Sequence, residues 1–519
     1  MSPPPSRDAA SDPDASDLAE KGLYTRQNSS LTSTTTVNIS PVPSSRILGS
    51  DTTAGQEVPE LPVEAEKLAS NDSKRLAPVI TTKPLSPPVK GPRRSTLIRL
   101  WFSTYRLFFI FTTSLNLTGL LLAVLGRFSY AQDQAGAFIL GNLLTAVLMR
   151  NEVFLRILYA VAIFGLRSWA PLRIKLAATS ILQHVGGIHS GCALSGVTWL
   201  IYHVIDLARR GAEQQHKSVI ISGIITMALM FISMLSAFPW VRNNYHNVFE
   251  KQHRFIGWLG LIATWIFVAL ENSYDAARGE WKVTTDTLIR SQALWFTMCI
   301  TLCIIIPWAT VRRVPVEVQI PSSKVAILCF EGGIQQGHLG RISRTSLMEY
   351  HAFGIISEGT NSAHHYMVCG VQGDFTQSLV QDPPKALWTR QFKFAGVGHA
   401  SAMFKRGIRV CTGTGIGAAL STCIQSENWF LIWIGSDQEK TFGPIIKDLI
   451  HRNIPASRMI LWDTKQRGGR PDTLQLLKDT WRSFEAEVVF ITSNKRGNDE
   501  LMQGCYEAGI HAFGTLWDF

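Results

Sequence analysis

The stretch Cys411-Thr412-Gly413-Thr414-Gly415-Ile416-Gly417-Ala418-Ala419-Leu420-Ser421 decides how the last part of this chain is read. An apolar strand pattern enters it from Arg409, glycines alternate through it, and a helical pattern leaves it. A glycine-rich strand-to-helix turn lets backbone N–H groups approach a phosphate, and the helix N-terminus behind it favours negative charge. The turn therefore points to a nucleotide-binding domain.

Around it, strands are expected at Arg409 to Thr412, Trp429 to Gly435, Arg458 to Trp462 and Glu487 to Ser493, with helical stretches between them. That is a βαβ series and implies a parallel sheet with its loops at the strand C-terminal ends. Before it, Val314 to Ile320, Lys324 to Phe330, Tyr350 to Ser357 and His365 to Val371 alternate and are separated by turn residues, as in a small antiparallel barrel.

The middle of the chain is built of membrane-length apolar runs: Leu107 to Leu125, Gly136 to Met149, Ile181 to Ile205, Val219 to Phe238, Phe255 to Leu270 and Ser291 to Ala309. A hydrocarbon core requires about 20 such residues. Lys90, Arg93, Arg94, Arg99 and Arg106 before the first run, and Arg312 and Arg313 after the last, place both flanks in the cytoplasm. Arg209, Arg210 and Lys217 fall in an outer loop against this bias. Val153 to Leu166, interrupted by Arg156 and flanked by Arg150, Glu152 and Arg167, reads as interfacial rather than spanning. Residues 1 to about 95, crowded with Pro, Ser, Thr, Asp and Glu, read as a disordered cytoplasmic tail, and no signal peptide is expected at Met1.

A net charge of +11 would suggest nucleic acid in a soluble chain, but many of the cations flank spans, where they face headgroups, and no nucleic-acid motif appears. The eight cysteines form no CxxC pair and read as reduced, buried thiols.

Three ordered segments carry a family resemblance. Glu349-Tyr350-His351-Ala352-Phe353-Gly354-Ile355-Ile356-Ser357 resembles the flavin strand of the ferredoxin-reductase class, Gly373-Asp374-Phe375-Thr376-Gln377-Ser378-Leu379 is similar to a run of ferric reductases and NADPH oxidases, and Gly413 to Gly417 corresponds to their nicotinamide-nucleotide loop. With six spans ahead of them, the chain resembles the fungal TmpA-like transmembrane flavoproteins. The resemblance implies a multidomain fold: a tail over 1–95, a ferric-reductase-like α-helical membrane domain of about six spans over 96–312, an antiparallel FAD-type β-barrel over 313–403 and an NAD(P)-binding α/β domain over 404–519. It implies FAD and NADH or NADPH as cofactors, the choice being open between Asp437 on a ribose hydroxyl and Lys440 on a 2′-phosphate. Cofactor contacts are implied at Tyr350, His351, Phe353, Gly373, Thr376, Gly413, Thr414, Gly415, Gly417, Ser421 and Phe519. Tyr350 and Phe353 would flank the isoalloxazine, and Phe519 would cover it.

The chain also departs from that pattern. Ala352 and Gly354 stand where the family has Pro and a hydroxyl residue, Ala395-Gly396-Val397-Gly398 replaces a Gly-Pro-aromatic-Gly turn, Ala418-Ala419 replaces Thr-Pro, and Thr492-Ser493-Asn494 replaces a late Cys-Gly-Pro. Two functions follow from different classes: a membrane oxidoreductase passing electrons from NAD(P)H through FAD to a small-molecule acceptor, or a catalytically weakened nucleotide-binding sensor or scaffold. The relatives carry two haems on paired histidines. His189 and His203 lie 14 residues apart on one span, which at ~100° and ~1.5 Å per residue is within about 40° of one face and about 21 Å. The opposite helix offers His253 and nothing near Ile266. A single haem b between His189 and His253 is thus the one haem the sequence allows, and its absence is the expected outcome. The location implied is multi-pass in the plasma membrane.

Overall fold

The computed structural model describes residues 98, 101–210, 215–275 and 278–516. The expected tail and Phe519 lie outside them.

The apolar runs become helices α1 (Thr104–Val124), α2 (Ala135–Leu148), α3 (Glu152–Leu166), α4 (Leu172–His184), α5 (Gly186–Arg210), α6 (Lys217–Ser236), α7 (His246–Ser273) and α8 (Gln292–Ala309). Helices α1, α2, α5, α6, α7 and α8 pack as a bundle around Trp199, Leu200, Phe267, Val268 and Ile300. Five of them are long and apolar enough to cross a membrane. The sixth, α2, has 14 residues, about 21 Å of helix against a core of about 30 Å.

The run Ile181 to Ile205 is not one helix. The chain breaks at Val185, and α5 starts at Gly186. Gly187 lies so close to the Tyr105 carbonyl that any side chain there would collide with it. The glycine pair lets α1 and α5 touch backbone to backbone. Helix α3, expected outside the span set, indeed lies apart from the bundle. Its N-cap Asn151 accepts from Phe154 N at 2.9 Å, and its apolar face, Leu158, Tyr159, Ala162, Ile163 and Leu166, packs into the core of the β-rich half.

That half begins with β1 (Val311–Pro315), β2 (Glu317–Ser322), β3 (Val325–Glu331), β4 (His338–Ser343), β5 (His351–Ser357), β6 (His364–Gly370), helix α9 (Asp374–Gln381) and β7 (Ala386–Arg390). The sheet order is β1-β7-β4-β5-β6-β3-β2, a curled antiparallel sheet. Val314 to Ile320 is two strands rather than one: β1 pairs with β7 and β2 with β3. Pro315, which cannot donate to a ladder, sits at the break. Strands β4 and β7 had no expected counterpart. In β4 the buried positions include His338 and Ser343, so the alternation is not one of apolar against polar.

The remainder is β8 (Gly407–Thr412), α10 (Ile416–Gln425), β9 (Trp429–Gly435), α11 (Gln438–Asn453), β10 (Met459–Asp463), α12 (Thr473–Phe484), β11 (Val488–Thr492), α13 (Lys495–Glu507) and β12 (Ala512–Phe513). The strands are parallel in the order β10-β9-β8-β11-β12. Every residue of β9 is buried, as expected for a strand covered by helices on both faces. The four expected strands are all present, shifted by at most two residues at their ends, and β12 is additional.

Candidate functional site

In a sheet of this order the chain winds one way from β8 to β9 and the other way to β11, so a crevice opens between the loops after β8 and β11. The glycine turn forms one wall. Gly413 has φ +50° with open space where a side chain would stand, and its carbonyl accepts from Trp433 Nε1 at 3.0 Å. Thr412 Oγ1 and Ser493 Oγ share a hydrogen bond at 2.8 Å across the mouth. Gly415 serves a different purpose. A Cβ there would lie 2.5 Å from the Thr492 carbonyl oxygen, so this glycine admits β11 rather than a ligand. Gly417 packs likewise on Val368, at 3.3 Å for an added Cβ, and the Thr414 side chain lies against Gly370.

Beside the crevice, the Asp463 carboxylate accepts from the backbone N–H groups of Gln438 at 2.8 Å, Lys465 at 2.9 Å and Asp437 at 3.0 Å. Burial opposes its ionisation, but these donors outweigh it and hold the Asp463 pKa below the ordinary value. They also fix Asp437 in a left-handed conformation, φ 52°. Asp437 then pairs with Lys465 Nζ at 2.9 Å, while Lys440 is exposed. The two residues weighed for choosing NADH or NADPH are thus on the rim, the first already in an ion pair.

The expected flavin face is arranged otherwise. Tyr350 is 4% exposed, donates its hydroxyl to Ser346 O at 3.0 Å, and has its ring edge-on to Trp308 at 5.7 Å. Burial raises its pKa, against the guanidiniums of Arg390 and Arg254. His351 and Phe353 point to the opposite face of β5. His351 stacks on Phe375 at 4.1 Å, and Phe353 lies 6.4 Å from the same ring. Tyr350 and Phe353 therefore do not flank one slot, because side chains alternate along a strand.

Gly354 is the decisive position. A Cβ there would collide with the first turn of α10, 2.7 Å from both the nitrogen and the Cβ of Ala418. Where a single methyl does not fit, an isoalloxazine ring does not fit either. In this arrangement the Gly354 face of β5 is filled by α10. Ser421, 1% exposed, fastens the contact: its hydroxyl donates to Ser357 O at 3.1 Å. Thr376 is likewise spent locally, its hydroxyl accepting from Gln372 N at 3.0 Å and Gly373 N at 3.1 Å to cap α9.

Two buried charges brace the surrounding elements. One is Arg409, 2% exposed in the central strand β8, whose guanidinium donates to the Ala418 carbonyl. Burial pulls its pKa down. The other is Glu152 of α3, 5% exposed and paired with Arg341 and, at 2.9 Å, with Arg390. The sequence held a hint of both, since Arg409 is a charge inside an apolar run and Glu152 stands at the edge of one.

In the bundle, His189 Nδ1 hydrogen-bonds Ala146 O at 2.8 Å, and His253 Nδ1 lies 3.2 Å from Ser233 O. Both imidazoles are oriented by carbonyls, an arrangement that leaves Nε2 as the atom for any iron. Two neutral imidazoles would be the residues to hold a haem iron, and the same hydrogen bonds equally satisfy buried histidines. His203 is engaged elsewhere, with Glu271 at 2.8 Å. Among the described residues no cluster of three or more His, Cys, Asp or Glu is placed to hold a metal ion.

Residues 397–519 match the family model for the C-terminal domain of adenylate-forming reductase 03009. Two curated proteins of Coprinopsis cinerea, adenylate-forming reductases 06235 and 03009, are each 29% identical over 80% of this chain. The chain spans about 40% of the length of these relatives. The similarity thus reaches well upstream of the parallel sheet, into the helical region. Among solved structures, a full-length CYP116B46 from Tepidiphilus thermophilus shares 13% identity over 40% of this chain and 29% of its own, with a TM-score of 0.34. A phthalate dioxygenase reductase shares 12% over 40% of this chain and 68% of its own, with a TM-score of 0.31. Scores this low add nothing to the reading. What the comparisons support is therefore limited to similarity with the adenylate-forming reductases, by family model over residues 397–519 and by sequence over most of the chain.

Proposed function

We propose that this chain is a multi-pass membrane protein whose cytoplasmic reductase-like module binds a nicotinamide nucleotide, NADH or NADPH, and acts as a nucleotide-responsive sensor or scaffold rather than through a flavin on β5. The observation that carries the proposal is the contact of Gly354 with Ala418. It fills the face where FAD is implied, while Gly413 leaves the crevice between β8 and β11 open. The backbone of Gly413 to Gly415 and the hydroxyls of Thr412 and Ser493 are the groups that would hold the nucleotide.

Membrane insertion is supported by the apolar helices and by their junction with the barrel. Arg254 of α7 donates to Leu347 O and Met348 O, each at 2.6 Å, and Trp308 of α8 meets Tyr350. The β-rich half thus adjoins the start of α7 and the end of α8, which the charge bias puts in the cytoplasm. The lipid bilayer is then the main partner, nucleic acid is not one, and the plasma membrane is the location implied by the TmpA-like resemblance.

A second reading is the oxidoreductase, electrons passing from NAD(P)H through FAD to a small-molecule acceptor. It is favoured by the ordered motifs and the adenylate-forming reductase relatives, and it requires α10 to leave β5. An absorption spectrum of the full chain purified in detergent, with NADH and NADPH titrations, separates the two. Nucleotide binding without flavin bands is expected, and no Soret band. Flavin absorbance that bleaches on adding either nucleotide would overturn the sensor reading.

A further inference from the structure

Helix α3 has two apolar faces. Leu158, Tyr159, Ala162, Ile163 and Leu166 are spent on the core of the β-rich half, yet Ile157, Val161 and Phe164 repeat at helical spacing on the opposite side and are exposed, Phe164 at 92%. Helix α4 repeats the arrangement. Its Leu172, Leu176 and Leu182 join the same core, and Ile174 and Ile181 on the other side are exposed. The turn between the helices presents Trp169, 68% exposed, and buried Lys175 fastens that turn by donating to Arg167 O at 2.9 Å. The two helices thus form a hairpin whose inner side is covered by protein and whose outer side is a row of large apolar side chains. A contiguous row of this kind marks a protein or membrane contact, unlike apolar residues scattered singly on a surface.

The hairpin is rooted at one end of the bundle. It leaves α2 through Asn151, whose side-chain amide donates to Cys303 O of α8 at 2.6 Å, and it returns beside the start of α1, where the hydroxyls of Ser180 and Thr104 lie 2.9 Å apart. On the membrane reading above, the cations before α1 and after α8 make that end cytoplasmic. The exposed apolar surface continues across the joint. Ile181 follows Ser180 directly, and Leu107, Ile110 and Phe111 follow Thr104 along α1. At 15 and 13 residues, α3 and α4 are about 22 Å and about 20 Å long, too short to cross a core of about 30 Å. Arg167 and Arg173, both exposed, stand on either side of Trp169. Long cationic side chains reach anionic headgroups while an indole sits at their level, so the tip is complementary to a lipid surface.

We propose that the outer face of the α3–α4 hairpin lies in the cytoplasmic leaflet of the bilayer, with Phe164 and Trp169 entering the boundary between headgroups and acyl chains. The partner is a lipid surface carrying anionic headgroups. The expectation for α3 alone rested on its flanking charges; the hairpin extends it to α4, names the side chains that enter, and makes the same two helices the floor on which the reductase-like module rests. This inference rests on the membrane reading, and the experiment separates the two.

The full chain is reconstituted in nanodiscs of phosphatidylcholine and phosphatidylserine that carry a trace of lipid with a diazirine high on its acyl chain. After irradiation, labelled peptides are mapped by mass spectrometry. Residues 157–169 and 174–181 should carry label, as should the exposed faces of α1 and α6. Val161→Glu combined with Phe164→Glu should remove most of the label from the hairpin and leave that on α1 in place; both side chains are exposed, so the fold does not depend on them. Phe164→Leu should keep the label, and Tyr159→Phe, on the inner face, should leave it unchanged. Label on α1 and α6 with none on the hairpin overturns this inference and leaves the membrane reading standing, whereas no label on any helix overturns both. Two copies per nanodisc with an unlabelled hairpin means that a second chain covers the face, which overturns the inference equally.

Discussion

Gly413 and Gly354 stand in two motifs that imply cofactors, and they behave in opposite ways. Gly413 takes a left-handed conformation with empty space beyond it, whereas Gly354 is pressed against the backbone of Ala418. Both are glycines because something comes close. At the first there is room for a ligand; at the second the approaching body is the protein's own helix α10. A glycine in a motif thus marks close approach, and only the fold tells what approaches.

The contact that ties α3 to the barrel, Glu152 with Arg341 and Arg390, carries the largest expected effect. Glu152→Ala strands Arg341 and Arg390 at a buried site, and removal of one partner of such a pair costs on the order of 3 kcal/mol or more. Thermal unfolding of the purified chain should show a large loss. An unchanged melting temperature would mean that α3 does not hold the barrel.

Gly354→Ser should cost about 1–3 kcal/mol, because the added atoms meet backbone rather than a flexible side chain. Ala418→Gly should not restore the loss, since the Ala418 nitrogen is among the atoms in the way. A gain of bound FAD in Gly354→Ser would break the comparison, for the strand would then face a flavin after all.

The open glycine gives a smaller and differently shaped effect. Gly413→Val should lose about 1–2 kcal/mol from the left-handed backbone alone and weaken NADH and NADPH binding, whereas Gly413→Asn, which tolerates that conformation, should lose less. Gly415→Val should act mainly on stability, through its clash with Thr492. Equal nucleotide affinity in Gly413→Val and the parent chain would remove the crevice from the site.

The narrowest expected effect, confined to alkaline pH, is a pH dependence. The Lys393 ammonium is lowered to about 8 in the folded chain by burial, against about 10.4 in an unfolded one. Between those values the unfolded chain binds the extra proton, so stability should rise with pH from about 8 toward 10 and stay flat below. Lys393→Met should abolish that rise, which pH-dependent melting would detect.

The sequence carried much of the architecture in its local patterns. Apolar runs marked the bundle helices, the buried run Trp429 to Gly435 marked a central strand, and the charges in and around Val153 to Leu166 kept that helix out of the span set. Strand β4 was not legible because His338 and Ser343 are buried polar positions, and the break before Gly186 was hidden inside a continuous apolar run. The site was legible only in part. The turn at Gly413 announced itself, since its conformation is a local matter. The closure of β5 did not, because it depends on a helix much later in the chain meeting Gly354, and no pattern within either segment encodes that meeting.

The buried guanidinium of Arg409 has a kinetic consequence. It reaches up from the middle of an apolar sheet to the Ala418 carbonyl, so lifting α10 away would strand a cation in a dry interior before any water arrived. Such a start is steeply uphill, with no shallow intermediate along the way. Helix α10 should therefore not breathe gradually above β5. It should stay down for long periods and leave, if at all, in rare complete excursions.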